Sequence, residues 1–220
     1  MPEFLYRPLY DEMHRFSILT KGADNIRHAQ RGLSERLLCH ACERSLCRYE
    51  KYAAEIMSGR RGHCFRQQDN KIIIEGIDYA PFKLFLMSVL WRASVSTLEF
   101  FKLVSLGPRE ELLRQMLLVE DAGKPEEFGC IVIFAHDRGQ DISDTLFNPE
   151  PMRWAGRRMY KLFFAGATWL YHCDRQPPAA HLQKFFLRPE GPLVGFFGDL
   201  SDALRHRQAA KRLARRAGYV

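Results

Sequence analysis

The residues with the clearest chemical potential are two cysteines, Cys39 and Cys42, which are separated by His40 and Ala41. A Cys-x-x-Cys pair at the start of a helix supplies two of the four ligands of a tetrahedral zinc site, and two sulfurs cannot complete that site alone. The N-terminus of a helix also favours the thiolate form electrostatically. The spacing therefore predicts half of a structural zinc site at Cys39 and Cys42.

Other residues near this pair leave alternatives open. Cys47 could be a third ligand, although its position on a helix turns it partly away from Cys42, and His40 could also bind the metal or face solvent. A thioredoxin-like redox motif is the competing function for the pair, but it calls for a preceding βαβ-type strand that the pattern does not show. Cys130 and Cys173 lie in apolar, strand-like runs and are interpreted as small core residues.

The elements that would position the pair are helices and strands of an α+β chain. Apolar residues recur at helical spacing from Cys42 to Met57, where Ser58-Gly59 is a typical helix end. Two more helices are predicted. One runs from Tyr79 to Ala93 and is apolar on nearly all sides, and the other runs from Gly107 to about Glu120. Strands are predicted over residues 71–75, 129–134, 145–148, 160–171 with a break at Gly166, and 193–197.

This order of elements predicts three parts. Residues 1–58 would form a small cysteine-containing module, with residues 1–36 irregular. Residues 59–198 would form an α+β domain with central apolar helices and an antiparallel sheet, and residues 199–220 a basic C-terminal helix. No apolar run is long enough to span a bilayer and the first residues lack the order of a secretory signal, so a cytoplasmic, non-membrane protein is expected.

The net charge of +7 is concentrated at the end of the chain. The predicted C-terminal helix carries six basic residues against two aspartates: Arg205, Arg207, Lys211, Arg212, Arg215 and Arg216. Such a layout suits contact with backbone phosphates, which need charge rather than a specific base edge. A solvated terminal helix is the competing interpretation. On charge alone, an anionic partner, most commonly nucleic acid, and a solvated helix are about equally well supported, and a homodimer is left open as an assembly.

Several stretches also resemble, in the same order, a bacterial HNH-endonuclease-like family. In that family a first Cys-x-x-Cys is followed by Ser-His-Ile-Ile-Pro-Glu-Phe, and this chain opens with Met1-Pro2-Glu3-Phe4. The similar stretches are residues 2–11, 32–39, 42–43, 49–53, 82–85, 90–94 and 106–108. The resemblance spans roughly residues 2–170 and leaves the basic tail uncovered.

The resemblance implies a ββα-metal nuclease core on a zinc treble clef. Two Cys-x-x-Cys pairs would hold a structural zinc, a histidine ahead of Pro-Glu-Phe would act as general base, and a divalent metal such as Mg²⁺ would stabilise the leaving oxygen. Only the second zinc pair carries over, as Cys39 and Cys42. Met1 stands where the family has the residue before proline, so the base and the first pair are expected to precede this chain.

Two residues are candidates to replace the missing catalytic groups. Many HNH nucleases have His or Asn after the last cysteine pair, where this chain has Glu43. His14 follows Asp11 and Glu12, and a carboxylate beside an imidazole can activate water. Glu43 also shares a helix face with Glu50, and such a face could bind a cation or be solvated. The sequence thus predicts an HNH-endonuclease-like protein that acts on or binds DNA and is catalytically incomplete as given; the alternative is a non-catalytic nucleic-acid- or partner-binding protein on the same scaffold.

Overall fold

The computed structural model describes residues 1–19, 27–60, 64–136 and 145–199. Its helices are α1 (His40–Met57), α2 (Tyr79–Val95), α3 (Arg109–Leu118) and the short α4 (Ala180–Gln183). Its strands are β1 (Phe16–Leu19), β2 (Arg27–Ala29), β3 (Phe65–Gln68), β4 (Lys71–Ile74), β5 (Cys130–His136), β6 (Thr145–Phe147), β7 (Glu150–Trp154), β8 (Arg157–Phe164), β9 (Ala167–His172) and β10 (Leu193–Asp199). The predicted α+β class is confirmed. The basic residues of the predicted C-terminal helix lie outside the described part of the chain.

The described strands form two sheets. The larger has seven strands in the order β3-β4-β10-β5-β9-β8-β7, and the smaller has the order β2-β1-β6. The prediction of an antiparallel sheet is wrong in two places, because β10 runs parallel to β5 and β1 runs parallel to β6. Strands joined by a tight turn must be antiparallel, whereas the partners in these two pairs are far apart in the chain and long connections set their direction.

Four strands were missed in the sequence. β1 and β2 pair with each other in a segment predicted to be irregular, and β3 and β7 lie at the two edges of the larger sheet. All four residues of β3 are exposed, so it lacks the alternating apolar pattern of a half-buried strand, and β7 contains Pro151, a residue that is unfavourable within strands. The predicted break at Gly166 is confirmed, since Ala165 and Gly166 both have positive φ in the turn between β8 and β9.

Helix α2 lies at the centre of the core, as its apolar sequence predicts. Its residues are buried without interruption from Phe82 to Ala93. The Phe82 ring packs edge-on against Trp169 of β9, which places the helix on a face of the larger sheet. The main cluster of buried apolar side chains runs from Leu5 to Leu193, so residues on both sides of position 58 share one core. Among the described residues, no helix is long and apolar enough to cross a membrane.

Helix α1 places the cysteine pair at its start and packs its apolar stripe on α2. Leu46, Tyr49, Ala53 and Ile56 recur at three and four residues and are all buried. The helix ends as predicted, with Gly59 in the left-handed region at φ +68°. The start of α1 is therefore held in place by packing along the rest of the helix.

Candidate metal centre

Cys39 and Cys42 lie at the N-terminus of α1. Cys39 is the N-cap residue and Cys42 is in the first turn, and their Sγ atoms are 3.4 Å apart. Two thiolates on one tetrahedral zinc, each with a Zn–S bond of about 2.3 Å, are separated by about 3.8 Å. Both cysteines are free thiols. A small side-chain rotation therefore lets this pair fill two positions of a zinc site.

The surroundings of the two thiols shift their pKa values in opposite directions. The backbone amide of Cys42, the Cys42 thiol and the amide of Ala41 lower the pKa of Cys39, although neither amide makes a capping hydrogen bond. The pKa of Cys42 is raised, first by its hydrogen bond with Cys39 and then by burial, while the guanidinium of Arg114 on α3 opposes the shift. Cys39 is thus the first of the pair to become a thiolate, as expected at a helix N-terminus.

No further ligand joins the pair within the described ranges. His40 and Cys47 are both exposed, and Cys47 lies five residues beyond Cys42, which turns it well away around the helix. In residues 1–19, 27–60, 64–136 and 145–199, no group of three or more His, Cys, Asp or Glu side chains could hold a metal ion. The residues present fit two positions of a zinc site.

The face that Glu43 shares with Glu50 is directed at a cation of the chain itself. Arg92 on α2 donates from Nη1 to Oε1 of Glu50 at 2.6 Å, and its Nη2 lies 3.7 Å from Oε2 of Glu43. The Arg92 side chain is only 8% exposed. These contacts occupy one side of a cleft of about 310 Å³, also lined by Glu35 and Leu38. The Arg92 guanidinium therefore lies beside the two carboxylates that the sequence suggested as a binding site for a metal cation.

His14 lies in an exposed turn before β1. Its backbone is in the left-handed region at φ 55°, and its ring stacks on Tyr10 with the ring centroids 4.0 Å apart. The Asp11 carboxylate accepts hydrogen bonds from the backbone amides of Met13 and Arg15 and from the Arg15 guanidinium. The amide of Arg15 contributes most to lowering the pKa of Asp11. Asp11 is thus engaged by Arg15, and the His14 ring contacts an aromatic neighbour.

The stretches that carry the resemblance meet in the structure. The Tyr6 hydroxyl donates to the Leu33 carbonyl at 3.3 Å, and the Gly32 amide donates to the Tyr10 hydroxyl at 2.9 Å. Glu35 accepts hydrogen bonds from the hydroxyls of Ser96 and Thr97, at 2.6 and 2.5 Å. These contacts tie the first residues to the loop before α1 and that loop to the end of α2. These contacts help to position the start of α1.

Two buried polar residues have no counterpart among the predicted site residues. Lys83 on α2 donates from Nζ to the Tyr79 hydroxyl at 2.9 Å and to the Lys124 carbonyl, and burial lowers its pKa to about 8. The buried His172 places Nδ1 3.2 Å from the Glu126 carbonyl, and burial lowers its pKa. Both hold the loop before β5. The only sequence signal was a lysine inside an apolar helix.

Comparisons of the chain with protein-family models, with curated proteins and with solved structures found no match.

Proposed function

We propose that this chain is a DNA-binding protein on an HNH-endonuclease-like scaffold, in which Cys39 and Cys42 supply two ligands of a structural zinc. The supporting observation is the order of three elements. Strands β1 and β2 pair antiparallel, and the chain then continues into α1, which begins with the cysteine pair. A hairpin followed by a helix that opens with two zinc ligands is the arrangement that the resemblance implies for a ββα-metal core on a treble clef.

The zinc in this proposal has a structural role. Bound zinc would join the start of α1 to the residues that supply the other two ligands and would fix both. Cys39 and Cys42 hold the positions for this role, with sulfurs 3.4 Å apart at a helix N-terminus. A zinc ligand must be deprotonated, and the pKa of Cys39 is lowered while that of Cys42 is raised, so Cys39 is the first of the two to be ready for the metal.

Binding rather than cleavage is proposed because the described residues do not assemble a catalytic set. The Glu43 carboxylate, at the position of a catalytic metal ligand in the resemblance, faces the Arg92 guanidinium. A Mg²⁺ ion at that position would be repelled by the arginine, so the residues present do not fit a catalytic metal there. His14 contacts Tyr10 and its neighbour Asp11 is engaged by Arg15.

The charge distribution supports DNA as the partner. The chain carries a net charge of +7, and six basic residues fall between positions 205 and 216. Contacts of lysine and arginine with phosphates release counterions, so they give affinity without sequence choice and make binding strongly dependent on salt. The proposed complex is therefore non-specific and held by the backbone of the duplex.

The test is the affinity for a labelled duplex, measured by fluorescence anisotropy between about 50 and 200 mM salt. We expect the affinity to fall steeply with salt and to fall further when Arg205, Arg207 and Lys211 are replaced by glutamine. The matched control replaces Arg36, Arg44 and Lys51, which are exposed and carry the same total charge, and should change affinity much less. Equal losses in the two triple variants, or no binding by the parent protein, would exclude the proposed DNA interface.

A dithiol redox site is the second candidate function. It is favoured by the geometry of the pair, two free thiols whose sulfurs lie 3.4 Å apart at the N-terminus of α1. The Cys39 thiolate would attack a substrate disulfide and Cys42 would resolve the mixed disulfide, so the substrate is reduced and the pair oxidised. Catalysed reduction of a protein disulfide, abolished by Cys39→Ser, would support this function. Equal rates with and without the protein would exclude it.

A further inference from the structure

We propose that His172 is a pH-sensitive contact that keeps a short lid closed over the larger sheet, and that its protonation in mild acid opens the lid. The lid is residues 179–187, which contain α4 and the turn after it. With an uncharged imidazole the lid covers a small apolar core, and with a charged imidazole it leaves that core. This inference goes beyond the proposed function and depends on neither zinc nor DNA.

His172 is the last residue of β9, and its side chain lies in the apolar core beneath the lid. It is directly opposite Met159 of β8, and residues opposite one another in an antiparallel pair share a sheet face. Leu170, two residues earlier in β9, lies on that face as well. The buried apolar residues of this core are Ile131, Met159, Leu170, Leu182 and Phe186. His172 is 2% exposed, so its imidazole is enclosed with them.

The two nitrogens of the His172 ring differ in their surroundings. Nδ1 lies 3.2 Å from the Glu126 carbonyl, which can only accept, so in the uncharged ring Nδ1 carries the hydrogen and donates it. Nε2 is buried, and no described group forms a hydrogen bond with it. A proton on Nε2 would add a charge and an N–H group in apolar surroundings. The closed lid therefore favours the uncharged ring.

The charged groups nearest to His172 do not offset this cost. Burial is the main cause that lowers the pKa of His172 below 6.5, and the guanidinium of Arg109 at the start of α3 lowers it further. The Asp174 carboxylate opposes the shift. Its oxygens, however, accept hydrogen bonds from the backbone amides of Arg158 and Gln176, at 2.9 and 3.0 Å.

Other titratable side chains on the lid and around it face solvent. His181 and Lys184 of the lid are exposed. Glu126 lines an open groove of about 420 Å³ at the edge of the lid, together with the exposed Arg188 and Glu190. Because these groups titrate in contact with water, their charge changes little when the lid moves. His172 is the group that connects pH with the lid.

The lid is attached to the sheet less firmly than the strands are attached to one another. Its backbone hydrogen bonds are local, since the amides of Leu182 and Phe185 donate to carbonyls three residues earlier, at 2.8 and 3.0 Å. Its contacts with the sheet are apolar: Phe185 packs edge-on against Phe196 of β10, and Phe186 lies beside His172 with the ring centroids 6.2 Å apart. A segment of this kind opens at a lower free energy than the core strands.

The direction of the pH effect follows from the enclosure of the ring. Above pH 6.5 the imidazole is uncharged in the closed and in the open form. As the pH falls below 6.5, the open form binds a proton that the closed form resists, so the open population rises. One proton with an ordinary pKa can raise this population at most about thirtyfold at about pH 5.

The experiment is hydrogen exchange followed by mass spectrometry at about pH 7.5 and about pH 5, corrected for the intrinsic effect of pH on exchange. The protection of residues 179–187 is expected to fall between about fivefold and about thirtyfold at the lower pH, while α2 keeps its protection. An NMR titration of the parent protein should give His172 a pKa below 6.5.

Two variants make the test specific. His172→Asn retains an N–H donor close to the position of Nδ1 but cannot become charged, so the protection of its lid should be the same at both pH values. His181→Gln removes an exposed histidine from the lid itself and should behave like the parent. Circular dichroism shows whether each variant is folded, and the NMR titration of the parent tests the inference independently of the variants.

Three results would overturn the inference. The first is a parent lid with equal protection at both pH values, and the second is the same loss of protection in His172→Asn as in the parent. The third is a pKa of His172 at or above 6.5 in the parent. Loss of protection in α2 together with the lid would also overturn it, because the acid would then unfold the whole protein.

Discussion

Arg92 of α2 donates a hydrogen bond of 2.6 Å to Glu50 of α1, in a place where the arginine side chain is 8% exposed and the glutamate side chain 20%. This pair joins the helix that carries the cysteines to the central helix of the core. The same guanidinium lies near Glu43, about two helical turns closer to the start of α1. The orientation of the candidate metal centre therefore depends on a largely buried ion pair as well as on apolar packing.

Loss of the Arg92–Glu50 ion pair should lower the free energy of unfolding. Arg92→Met keeps most of the side-chain volume but leaves Glu50 partly buried without its partner, and we expect the free energy of unfolding to fall by about 3 kcal/mol. The control is Arg66→Met, because Arg66 pairs with Glu75 where both side chains are about half exposed or more. That change should cost less than about 1 kcal/mol. Urea unfolding of both variants gives the comparison, and equal losses would show that the Arg92 pair is not structurally important.

The helices and most buried strands could be predicted from the sequence because local periodicity determines them. The stripe of α1, the end of that helix at Gly59 and the turn between β8 and β9 all depend on a few adjacent residues. The position of β10 between β4 and β5 depends on a long connection after β9, which leaves no local pattern. The parallel pairing was missed for that reason.

In the candidate metal centre, too, the local features could be predicted from the sequence and the long-range contacts could not. The placement of Cys39 and Cys42 at a helix start follows from their spacing and the apolar pattern behind them. The partner of Glu43 and Glu50 could not be found from the sequence, because Arg92 lies more than forty residues away and reads as one polar residue in an apolar helix. Long-range pairing of polar side chains has no periodic signal.

Because of Lys83, the free energy of unfolding should change with pH in the alkaline range. Burial lowers its pKa from 10.5 to about 8, although Glu127, Glu126 and Asp121 partly oppose the shift. Between these two values the unfolded chain binds more protons than the folded one, so the free energy of unfolding should rise with pH. The cost of the buried ammonium, fully present below pH 8, is about 3 kcal/mol at 1.4 kcal/mol per pKa unit.

The measurement for Lys83 is urea unfolding from neutral pH to pH 10.5, for the parent protein and Lys83→Met. Other groups also titrate there: the pKa values of Cys130 and Tyr171 are raised by burial, which weakens the fold at high pH in both proteins. The difference between the two profiles therefore isolates Lys83, and it should move in favour of the parent as pH rises. The exposed Lys102→Met should parallel the parent. A constant difference for Lys83→Met would contradict the prediction.

Gly32 should not tolerate a side chain. A Cβ atom there would lie 2.5 Å from Cδ2 of Tyr6, whose side chain is fully buried. Gly32→Ala must displace this ring and strain its hydrogen bond to the Leu33 carbonyl, so we expect a loss of about 1–3 kcal/mol in urea unfolding. Arg31→Ala changes an exposed neighbour and should cost less than about 0.5 kcal/mol. A Gly32→Ala protein as stable as that control would show that the ring moves freely.

The cysteine pair should contribute to stability through metal and not through packing. In a chelator and reductant, Cys39→Ser with Cys42→Ser should change the free energy of unfolding by less than about 0.5 kcal/mol, because Cys39 is exposed, Cys42 is half-buried and neither belongs to the core. Leu46→Ala, on the buried stripe of the same helix, should cost about 2–5 kcal/mol and shows that the assay detects packing. With zinc added, the parent should gain stability by mass action while the serine variant gains none. A large loss in the metal-free variant would instead assign the thiols a packing role, and equal effects of zinc on both proteins would place the metal elsewhere.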